Sequence, residues 1–348
     1  MRKAGLLVLG IATALLLIAS LASLSDSDFW LIRVVDLVRQ PILYLAVVLA
    51  LLALAFRQRA GWWIAGGLAV VIAIQVARLW PYAPMAEEQI AFSDDDAAGS
   101  CFTALSLNVK QSNDQYDRVA ALIERENPDL LFLMETNAAW MDALEPQLSA
   151  YSETLSMPLE NTYGMVFASR LQVIKAKMLT NIAEDTPTLY ATLRLPNKSA
   201  FEFIGLHPRP PLPGQNTTQR DAMIARAGEI TPDKLADVIV MGDFNDVPWS
   251  TTTTRFREDG DYRDPRAGRG TYPTFPAKFA FVGWPLDQLL VKNEIRLQSF
   301  EVLENVGADH LPMKGRFCLR DGEGEIIESF EPASDKDADP GAEIVKAS

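Results

Sequence analysis

The chain has few of the residues that mark zinc modules, and it lacks an excess of positive charge. Only two cysteines and two histidines occur among its 348 residues, and neither a zinc-type cysteine spacing nor an internal repeat is present. The 32 Lys and Arg against 45 Asp and Glu give a formal net charge of -13. Because long nucleic acids are bound largely through phosphate contacts from Lys and Arg, this balance argues against a broad basic surface, although it does not exclude a local basic groove.

Long hydrophobic runs are missing after residue 80 but crowd the first eighty positions. A helix needs roughly 20 apolar residues, and at least about 17, to cross the hydrocarbon core of a bilayer. The second run reaches that length only if it includes Asp36 and Arg39. The sequence therefore predicts three transmembrane helices, with the lipid bilayer as a partner, at about residues 4–24, 36–56 and 61–79.

Basic residues beside the predicted helices indicate their orientation. Arg2 and Lys3 precede the first helix, Arg57 and Arg59 lie between the second and third, and the positive-inside rule puts both groups in the cytoplasm. We thus predict a multi-pass protein of the cell inner membrane whose remaining chain is extracytoplasmic. The first run also resembles a cleaved signal peptide, an alternative under which the later helices still hold the protein in the membrane. Three arginines on the outer side weaken the charge count: Arg33, Arg39 and Arg78.

Residues 101–319 have the pattern of a folded domain between two acidic segments. Residues 81–100 contain two prolines and three successive aspartates, which predicts a linker. Residues 320–348 are acidic and poor in large apolar side chains, which predicts a disordered tail. Many short strands with few helices between them predict an α+β fold of two packed sheets with helices outside. The predicted strands are CFTALSLNVK, DLLFLMETN, YGMVFASR, PTLYATLRLP, AFEFIGLHP, VIVMGD, PLDQLLV and the segment 310–319.

The stretch VIVMGDFNDVPWS, residues 238–250, carries the clearest chemical signal. An apolar run that ends in Gly-Asp-x-Asn predicts a buried strand that delivers Asp243 and Asn245 to the edge of a sheet, where α/β proteins place their chemistry. Because strand side chains alternate, both residues would face one way and Phe244 the other. The alternative is an ordinary Asx turn, since Asp and Asn are common turn residues.

Polar residues end or interrupt several other apolar runs, and both histidines of the chain are among them. A single histidine beside a strand is usually a packed or surface residue, but two histidines in this company favour a catalytic or binding site. The residues concerned are Asn108, Glu135, His207, Asp243, Asn245, Asp287, Asp309 and His310.

Six motifs occur in an order that is typical of one family: LSLNVK, PDLLFLMETN, GLHPRP, MGDFNDVPW, PLDQLLV and GADHLPM. In these motifs the chain resembles the endonuclease/exonuclease/phosphatase family, which includes deoxyribonuclease I, abasic-site endonucleases, inositol polyphosphate 5-phosphatases and neutral sphingomyelinases. The resemblance implies a four-layer α/β/β/α sandwich over residues 101–319, preceded by the three transmembrane helices. It also implies a hydrolase that cleaves phosphoesters with a directly attacking water.

The resemblance implies a metal site built from hard oxygen ligands. By similarity Glu135 is the main ligand, Asn108 lies beside it, and Asp309 supports the metal or the attacking water. Mg²⁺ or Mn²⁺ suits these donors, because such ions take one or two protein carboxylates and keep several waters. The alternative for Glu135 is a carboxylate at a helix N-terminus, stabilised by the helix dipole, and for Asp309 an ordinary loop residue.

The resemblance also implies catalytic roles for five residues. Asp243 would orient and deprotonate the attacking water, and Asn245 would donate a hydrogen bond to the phosphoryl oxygens. His310, held in orientation by Asp287, and His207 would contact the phosphate from two sides. Asp287 alone could instead be a turn residue after a proline.

Two further residues near the motifs are predicted to bind substrate. Tyr163 begins the strand YGMVFASR, and Arg209 follows His207 closely. The alternatives are a core tyrosine and a solvated loop arginine. The domain is short for the family, so the loops with which relatives hold DNA or an inositol ring are expected to be missing. The substrate is therefore left open among lipid, nucleotide and nucleic acid.

The two cysteines fall at matching distances from the predicted site. Cys101 lies seven residues before Asn108, and Cys318 lies eight residues after His310. If the first and last strands are antiparallel neighbours, the cysteines lie nearly level, because each strand residue advances the chain by about 3.3 Å. A disulfide is then feasible in an oxidising compartment, and two buried thiols are the alternative.

The sequence as a whole predicts a membrane-anchored, metal-dependent phosphodiesterase or phosphatase. One alternative is an extracytoplasmic endonuclease or exonuclease that acts on DNA. The other is a membrane-tethered binding module that keeps the fold without turnover. No protein partner is inferred.

Overall fold

Four helices precede the soluble domain in the computed structural model. The three aspartates of the predicted linker and the predicted tail, 320–348, lie outside the described residues. The residues that the structure describes are 2–93, 99–229, 237–292 and 295–319. The helices are α1 (Arg2–Ala22), α2 (Trp30–Leu37), α3 (Arg39–Ala55) and α4 (Arg59–Leu79).

Two of these helices, α1 and α4, are long and apolar enough to cross a membrane, and α2 with α3 adds a third span if the bent pair is counted as one. The single helix predicted at 36–56 is broken in the structure, where α2 and α3 meet at Val38 with a bend of 77°. Charged side chains surround the break: the Arg39 guanidinium donates to Asp36 at 2.6 Å and to Gln75 of α4 at 3.0 Å. All three side chains are buried, and this pairing offsets the cost of removing their polar groups from water.

Within the described residues, eleven strands form two sheets. The strands are β1 (Cys101–Asn108), β2 (Leu130–Met134), β3 (Glu153–Met157), β4 (Met165–Ser169), β5 (Gln172–Leu179), β6 (Thr188–Arg194), β7 (Ala200–Leu206), β8 (Val238–Asp243), β9 (Asp287–Val291), β10 (Arg296–Val302) and β11 (Met313–Cys318). The first sheet has the order β10-β11-β1-β2-β4-β3, and the second has the order β5-β6-β7-β8-β9. β3, β5 and β10, which the sequence did not predict, all lie at sheet edges.

Four helices cover the outer faces of the two sheets. They are α5 (Tyr116–Glu126), α6 (Ala138–Leu148), α7 (Thr218–Glu229) and α8 (Thr251–Gly260). Phe132 and Phe203 meet between the sheets, Trp140 of α6 packs on the outside of the first sheet, and Ile224 and Phe256 of α7 and α8 pack on the outside of the second. The predicted four-layer α/β/β/α sandwich is confirmed.

Strand direction brings the predicted polar residues to one edge of the sandwich. β1 and β2 are parallel, so Asn108 and Glu135 follow neighbouring strand ends. β7 and β8 are also parallel, which places His207 beside Asp243. β9 runs antiparallel to β8 and starts at this edge, where its first residue, Asp287, is the register partner of Asp243. We call this end of the sandwich the catalytic edge.

The opposite end of the sandwich carries the only two cysteines of the chain. β1 and β11 are antiparallel neighbours, and Cys101 is the register partner of Cys318. The two residues form a disulfide. The structure therefore agrees with the predicted strand pairing and with the predicted bridge.

Candidate active site

Asp243 occupies the centre of the polar group at the catalytic edge, and its side chain is buried. Its Oδ1 accepts a hydrogen bond from the backbone N–H of Asn245 at 2.8 Å. Its Oδ2 accepts one from Asn108 Nδ2 at 3.2 Å. The same oxygen lies 3.5 Å from His310 Nε2 and 3.7 Å from His207 Nε2. Asp243 is thus oriented by groups from both sheets.

The backbone around Asp243 has a conformation that few residues allow. Gly242 has a φ of 143°, and a Cβ atom there would lie 2.0 Å from the carbonyl oxygen of Leu206, so the close approach of β7 and β8 requires glycine. The strand ends at Asp243, and Asn245 adopts a φ of 49° in an Asx turn. Strand alternation therefore does not place Asn245, contrary to the sequence argument. Its Nδ2 instead donates to the Pro208 carbonyl at 3.0 Å, which ties this turn to the segment after His207.

Glu135 lies on the other side of the Asn108 amide from Asp243. Its Oε1 accepts a hydrogen bond from Asn108 Nδ2 at 2.9 Å, and its Oε2 accepts one from the backbone N–H of Gln111 at 3.1 Å. Asn137, not Glu135, caps α6, so the helix-terminus alternative does not describe Glu135. Two carboxylates that share one amide form an oxygen-rich group of the kind that Mg²⁺ prefers, and the residues present fit a divalent cation.

A second group at this edge consists of Asp243, Asp287 and His310, whose potential ligand atoms lie within 4.8 Å of one another and could hold a metal ion. His310 Nδ1 lies 2.8 Å from Asp287 Oδ2. Burial lowers the pKa of His310, but the attraction of Asp287 and Asp243 and the hydrogen bond to Asp287 outweigh burial and raise this pKa to about 10. This raised pKa favours the imidazolium, whose ring N–H groups both donate hydrogen bonds.

Tyr163 and Arg209 lie together at the rim of the site. The Tyr163 and His207 ring centroids are 5.6 Å apart, and the Arg209 guanidinium lies 4.9 Å from the centroid of Tyr163. Arg209 is ion-paired with Asp185 and donates to Thr186 Oγ1 at 2.8 Å. Burial raises the pKa of Tyr163, although Arg209 opposes this, so the hydroxyl keeps its proton. The structure thus places both predicted substrate-binding residues beside His207.

The sequence profile of the Endonuclease/Exonuclease/phosphatase family matches residues 105–326, which is more than half of the chain and includes the whole site. The chain belongs to this family. Among curated proteins, none matches the chain by sequence.

Solved structures share the fold at low sequence identity. The catalytic domain of human Nocturnin with bound sulfate is 17% identical, with a TM-score of 0.52 over 63% of this chain and 95% of that one. D. rerio TDP2 complexed with a single-strand DNA product is 13% identical, with a TM-score of 0.52 over 63% of this chain and 99% of that one. An endonuclease/exonuclease/phosphatase from Beutenbergia cavernae is 16% identical, with a TM-score of 0.50 over 63% and 72%.

Asp309 lies apart from the buried carboxylates of this family member. Its carboxylate is partly exposed and lies 2.9 Å from Lys110 Nζ, which is also partly exposed. Lys110 follows Asn108 by two residues, and its backbone N–H donates to Asn108 Oδ1 at 3.0 Å. The structure therefore brings Asp309 to the rim of the site as half of an ion pair. Lys110 is a rim cation that sequence reasoning missed, although it ends the motif LSLNVK.

Asp246 and Arg220 were also missed, and they support the turn after Asp243. Arg220 Nη1 lies 3.1 Å from Asp246 Oδ1 and donates to the Asn245 carbonyl at 3.1 Å. Burial raises the pKa of Asp246 to about 6, although Arg220 and a hydrogen bond from Ser250 oppose this. The second aspartate of the GDFND motif was the available signal, because an Asp so close to a buried strand needs a partner.

Proposed function

We propose that this family member is a membrane-anchored, metal-dependent hydrolase of a phosphodiester or phosphomonoester. The observation that carries the proposal is the convergence of Asn108, His207 and His310 on the buried carboxylate of Asp243. Phosphoester hydrolysis needs a base for the water, donors for the phosphoryl oxygens and a cation beside the phosphate. Asp243 is the candidate base, the two imidazoles are candidate donors, and the Glu135 group is the candidate site for the cation.

Each residue has one task in the proposed reaction. Glu135, with Asn108 beside it, would hold a divalent cation, which would neutralise charge on the phosphate. Asp243 orients a water and accepts its proton as the water oxygen attacks phosphorus. His310, kept charged and oriented by Asp287, donates a hydrogen bond to the phosphoryl group. His207 donates from the neighbouring strand.

The remaining polar groups position the phosphate and the rest of the substrate. Asn245 has a second amide N–H beyond the one that holds Pro208, and this hydrogen is available to a phosphoryl oxygen. Asp309 positions Lys110, whose ammonium group adds positive charge at the rim. Tyr163 and Arg209 form the opposite wall, against which the leaving group packs.

Membrane anchoring is supported by the apolar helices. An extracytoplasmic domain in a multi-pass inner-membrane protein is supported by the basic residues between α3 and α4. The Cys101–Cys318 disulfide also supports this side of the membrane, since disulfides persist in oxidising compartments. A fusion of a reporter enzyme to the C-terminus tests the sidedness, and reporter activity in the cytoplasm would contradict it.

Hydrolysis by the purified full-length protein tests the reaction. The substrates are bis-p-nitrophenyl phosphate, p-nitrophenyl phosphate and plasmid DNA, each with Mg²⁺, Mn²⁺ or a chelator. We expect turnover that requires the metal and that Asp243→Asn lowers roughly 100-fold to 10,000-fold, the usual contribution of a general base. Asp259→Asn, an exposed carboxylate on α8, is the matched control and should retain turnover.

The outcomes separate the proposal from its alternatives. Preferential cleavage of plasmid DNA would favour an extracytoplasmic nuclease. Folded protein that binds phosphoesters and hydrolyses none would favour a binding module. Equal turnover in Asp243→Asn and the parent protein would overturn the assignment of Asp243 as base.

A further inference from the structure

The catalytic edge is the end of the domain that contacts the N-terminal helices. Trp249 Nε1 donates to the carbonyl of Asp36 at 2.7 Å, and Trp284 Nε1 donates to that of Leu37 at 2.6 Å. Trp249 follows Asp243 by six residues, and Trp284 precedes Asp287 by three. The segments that carry two site carboxylates are thus joined directly to the bend between α2 and α3.

A second set of contacts fixes the direction of the domain. The backbone N–H of Thr217 donates to the Asp28 carbonyl at 2.9 Å, and Arg33 Nη1 donates to Thr251 Oγ1 at 3.0 Å. Thr217 and Thr251 lie at the starts of α7 and α8, which run from this end of the domain toward the other. The catalytic edge, where α7 and α8 begin, therefore faces the bundle of N-terminal helices. The disulfide lies at the far end of the domain.

Within the described residues, the bonds and packing of the helix bundle, α1–α4, join it to one half of the catalytic edge. The hydrogen bonds and ion pairs that join residues 26–82 to the domain are made to residues 216–284, and Tyr82 also packs in an apolar cluster with Leu286; these residues belong to the second sheet, its helices and its loops. Lys110 and Glu135 follow strands of the first sheet and Tyr163 precedes β4 of that sheet, and these three residues lie on the other half of the edge. If α1 and α4 cross a bilayer, this half of the edge lies above lipid beside the bundle.

One exposed apolar loop extends from the catalytic edge next to the bundle. The segment Ala277–Val282, which we call the interfacial loop, consists of helical turns interrupted by a kink at Phe279. It lies between Phe275 and Trp284, which form an antiparallel bridge. Phe279 and Val282 are 58% and 69% exposed. Lys278, directly before Phe279, is exposed as well. Exposed apolar side chains beside a lysine are typical of segments that enter a membrane interface.

The interfacial loop is also coupled to the site. The backbone N–H of Ala277 donates to the carbonyl of Asp309 at 2.7 Å, and the Phe275 ring lies 4.9 Å from the His310 ring. At the other end of the loop, Trp284 reaches the bend of the membrane helices. The loop therefore connects the catalytic histidine with the region where lipid headgroups would lie.

We infer that the interfacial loop enters the outer leaflet of the bilayer and that the site takes the phosphoester of a membrane lipid. This inference rests on the proposed hydrolase function. In the reaction a water oxygen bonds to phosphorus, the bond from phosphorus to the leaving oxygen breaks, and the leaving oxygen takes up a proton. A phosphodiester lipid yields an alcohol and a phosphomonoester, one of which keeps the acyl chains.

Loop insertion can be tested without any activity measurement. The native cysteines are bonded to each other, so Phe279→Cys in the full-length protein provides a single site for an environment-sensitive fluorophore. In phospholipid nanodiscs we expect blue-shifted emission that acyl-chain doxyl lipids quench. Ile174→Cys is the matched control, because Ile174 is 38% exposed on β5 at the far end. Water-like emission from position 279, equal to that from position 174, would overturn loop insertion.

The substrate class is tested by comparing lipid with soluble substrate. The full-length protein in nanodiscs is assayed against its surrounding phospholipids and against bis-p-nitrophenyl phosphate. We expect Phe279→Ser combined with Val282→Ser to lower the ratio of lipid to soluble turnover roughly tenfold, since the protein loses an aromatic side chain that would be buried among the lipids. Ile174→Ser should leave the ratio unchanged.

Failure of the inference and failure of the proposed function give different results. Hydrolysis of the soluble ester with none of any lipid would overturn the lipid assignment and leave the hydrolase intact. Lipid turnover with an unchanged ratio in the double variant would overturn the role of the loop in lipid selection. No hydrolysis of any substrate by folded parent protein would overturn the proposed function and the lipid substrate with it. The fluorescence result would still show whether the loop enters the bilayer.

Discussion

The two ends of the sandwich are stabilised in different ways. At the catalytic edge, buried charged and polar groups, centred on Asp243 and on the His310–Asp287 pair, are held by hydrogen bonds at strand ends. At the far end, a covalent bond joins the first and last strands of the domain, Cys101 to Cys318. The catalytic edge also contacts the helix bundle, whereas the disulfide lies at the end that points away from it.

The difference indicates that chemistry and covalent stabilisation are separated in this fold. A carboxylate such as Asp243 is positioned by several neighbours, and a change to any of them alters its orientation as well as its energy. A disulfide acts mainly on the unfolded chain, so it can stabilise the domain without adjusting the site. The next three predictions ask whether the two ends behave as independently as this comparison implies.

Removal of the disulfide should have the largest effect on stability and little effect on chemistry. The bridge closes a separation of 217 residues, and the loss of a native disulfide typically costs about 2–5 kcal/mol. We expect Cys101→Ser combined with Cys318→Ser to lower the free energy of unfolding by an amount in that range, with turnover per folded molecule unchanged. Denaturant unfolding of the full-length protein in detergent, with a parallel hydrolysis assay, provides both numbers.

Parent protein treated with a reductant is the control for this prediction, because it lacks the bond but keeps both cysteines. It should unfold like the double variant. A loss of turnover in either sample, at denaturant concentrations where both are folded, would show that the far end influences the site. That result would contradict the proposed separation.

Gly242→Ala should have a smaller effect on stability but should reach the site. The new Cβ would lie 2.0 Å from the Leu206 carbonyl oxygen at a φ of 143°, and backbone strain of this kind costs about 1–3 kcal/mol. Relief requires β7 and β8 to move apart, which displaces Asp243 relative to His207. We expect lower stability together with a fall in turnover, measured on the same two assays.

Gly214→Ala is the matched control for Gly242→Ala. Gly214 also has a positive φ, 88°, but a Cβ there meets no atom within 4 Å. Gly214→Ala should therefore cost stability through its positive φ without moving the strands, and turnover should be retained. Equal turnover in the two variants would mean that the close approach of β7 and β8 does not set the geometry of Asp243.

Much of the fold and of the candidate site could be predicted because both depend on strand ends. Asn108, Glu135, His207 and Asp243 each end or directly follow a central strand whose apolar run is evident in the sequence. The parallel pairs then bring them to one edge. The edge strands were harder to find, since β5 mixes exposed and buried positions and contains lysines, which gives no continuous apolar run.

Features that depend on distant contacts were not predictable. The break at Val38 did have a local signal in Pro41, which lacks the N–H that would bond the Leu37 carbonyl, but the polar partners on other helices that surround the break are distant in sequence. The contacts of Trp249 and Trp284 with the α2–α3 bend join residues 213 and 247 positions apart. No local pattern specifies such pairs, because burial of an indole N–H requires an acceptor but does not say which one.

Glu202 provides the smallest effect and tests the far end by pH. It lies near the start of β7, and burial raises its pKa to about 8, although Lys292 and Lys175 oppose this. Between pH 4.5 and 8 the folded state keeps a proton that the unfolded state loses. Glu202 therefore favours folding most below its unfolded pKa of 4.5, and this contribution is lost as the pH rises through 8.

Glu202→Gln keeps the shape of the side chain and removes the titration. Thermal unfolding of the full-length protein in detergent, followed from pH 5 to pH 8, should show a midpoint that falls with pH less steeply in the variant than in the parent, so that the variant melts higher at pH 8. Turnover at each pH should be equal in the two proteins, because Glu202 lies at the end away from Asp243. Parallel pH dependences of unfolding would mean that Glu202 is ionised in the folded domain, whereas altered turnover would mean that charge at the far end reaches the catalytic edge.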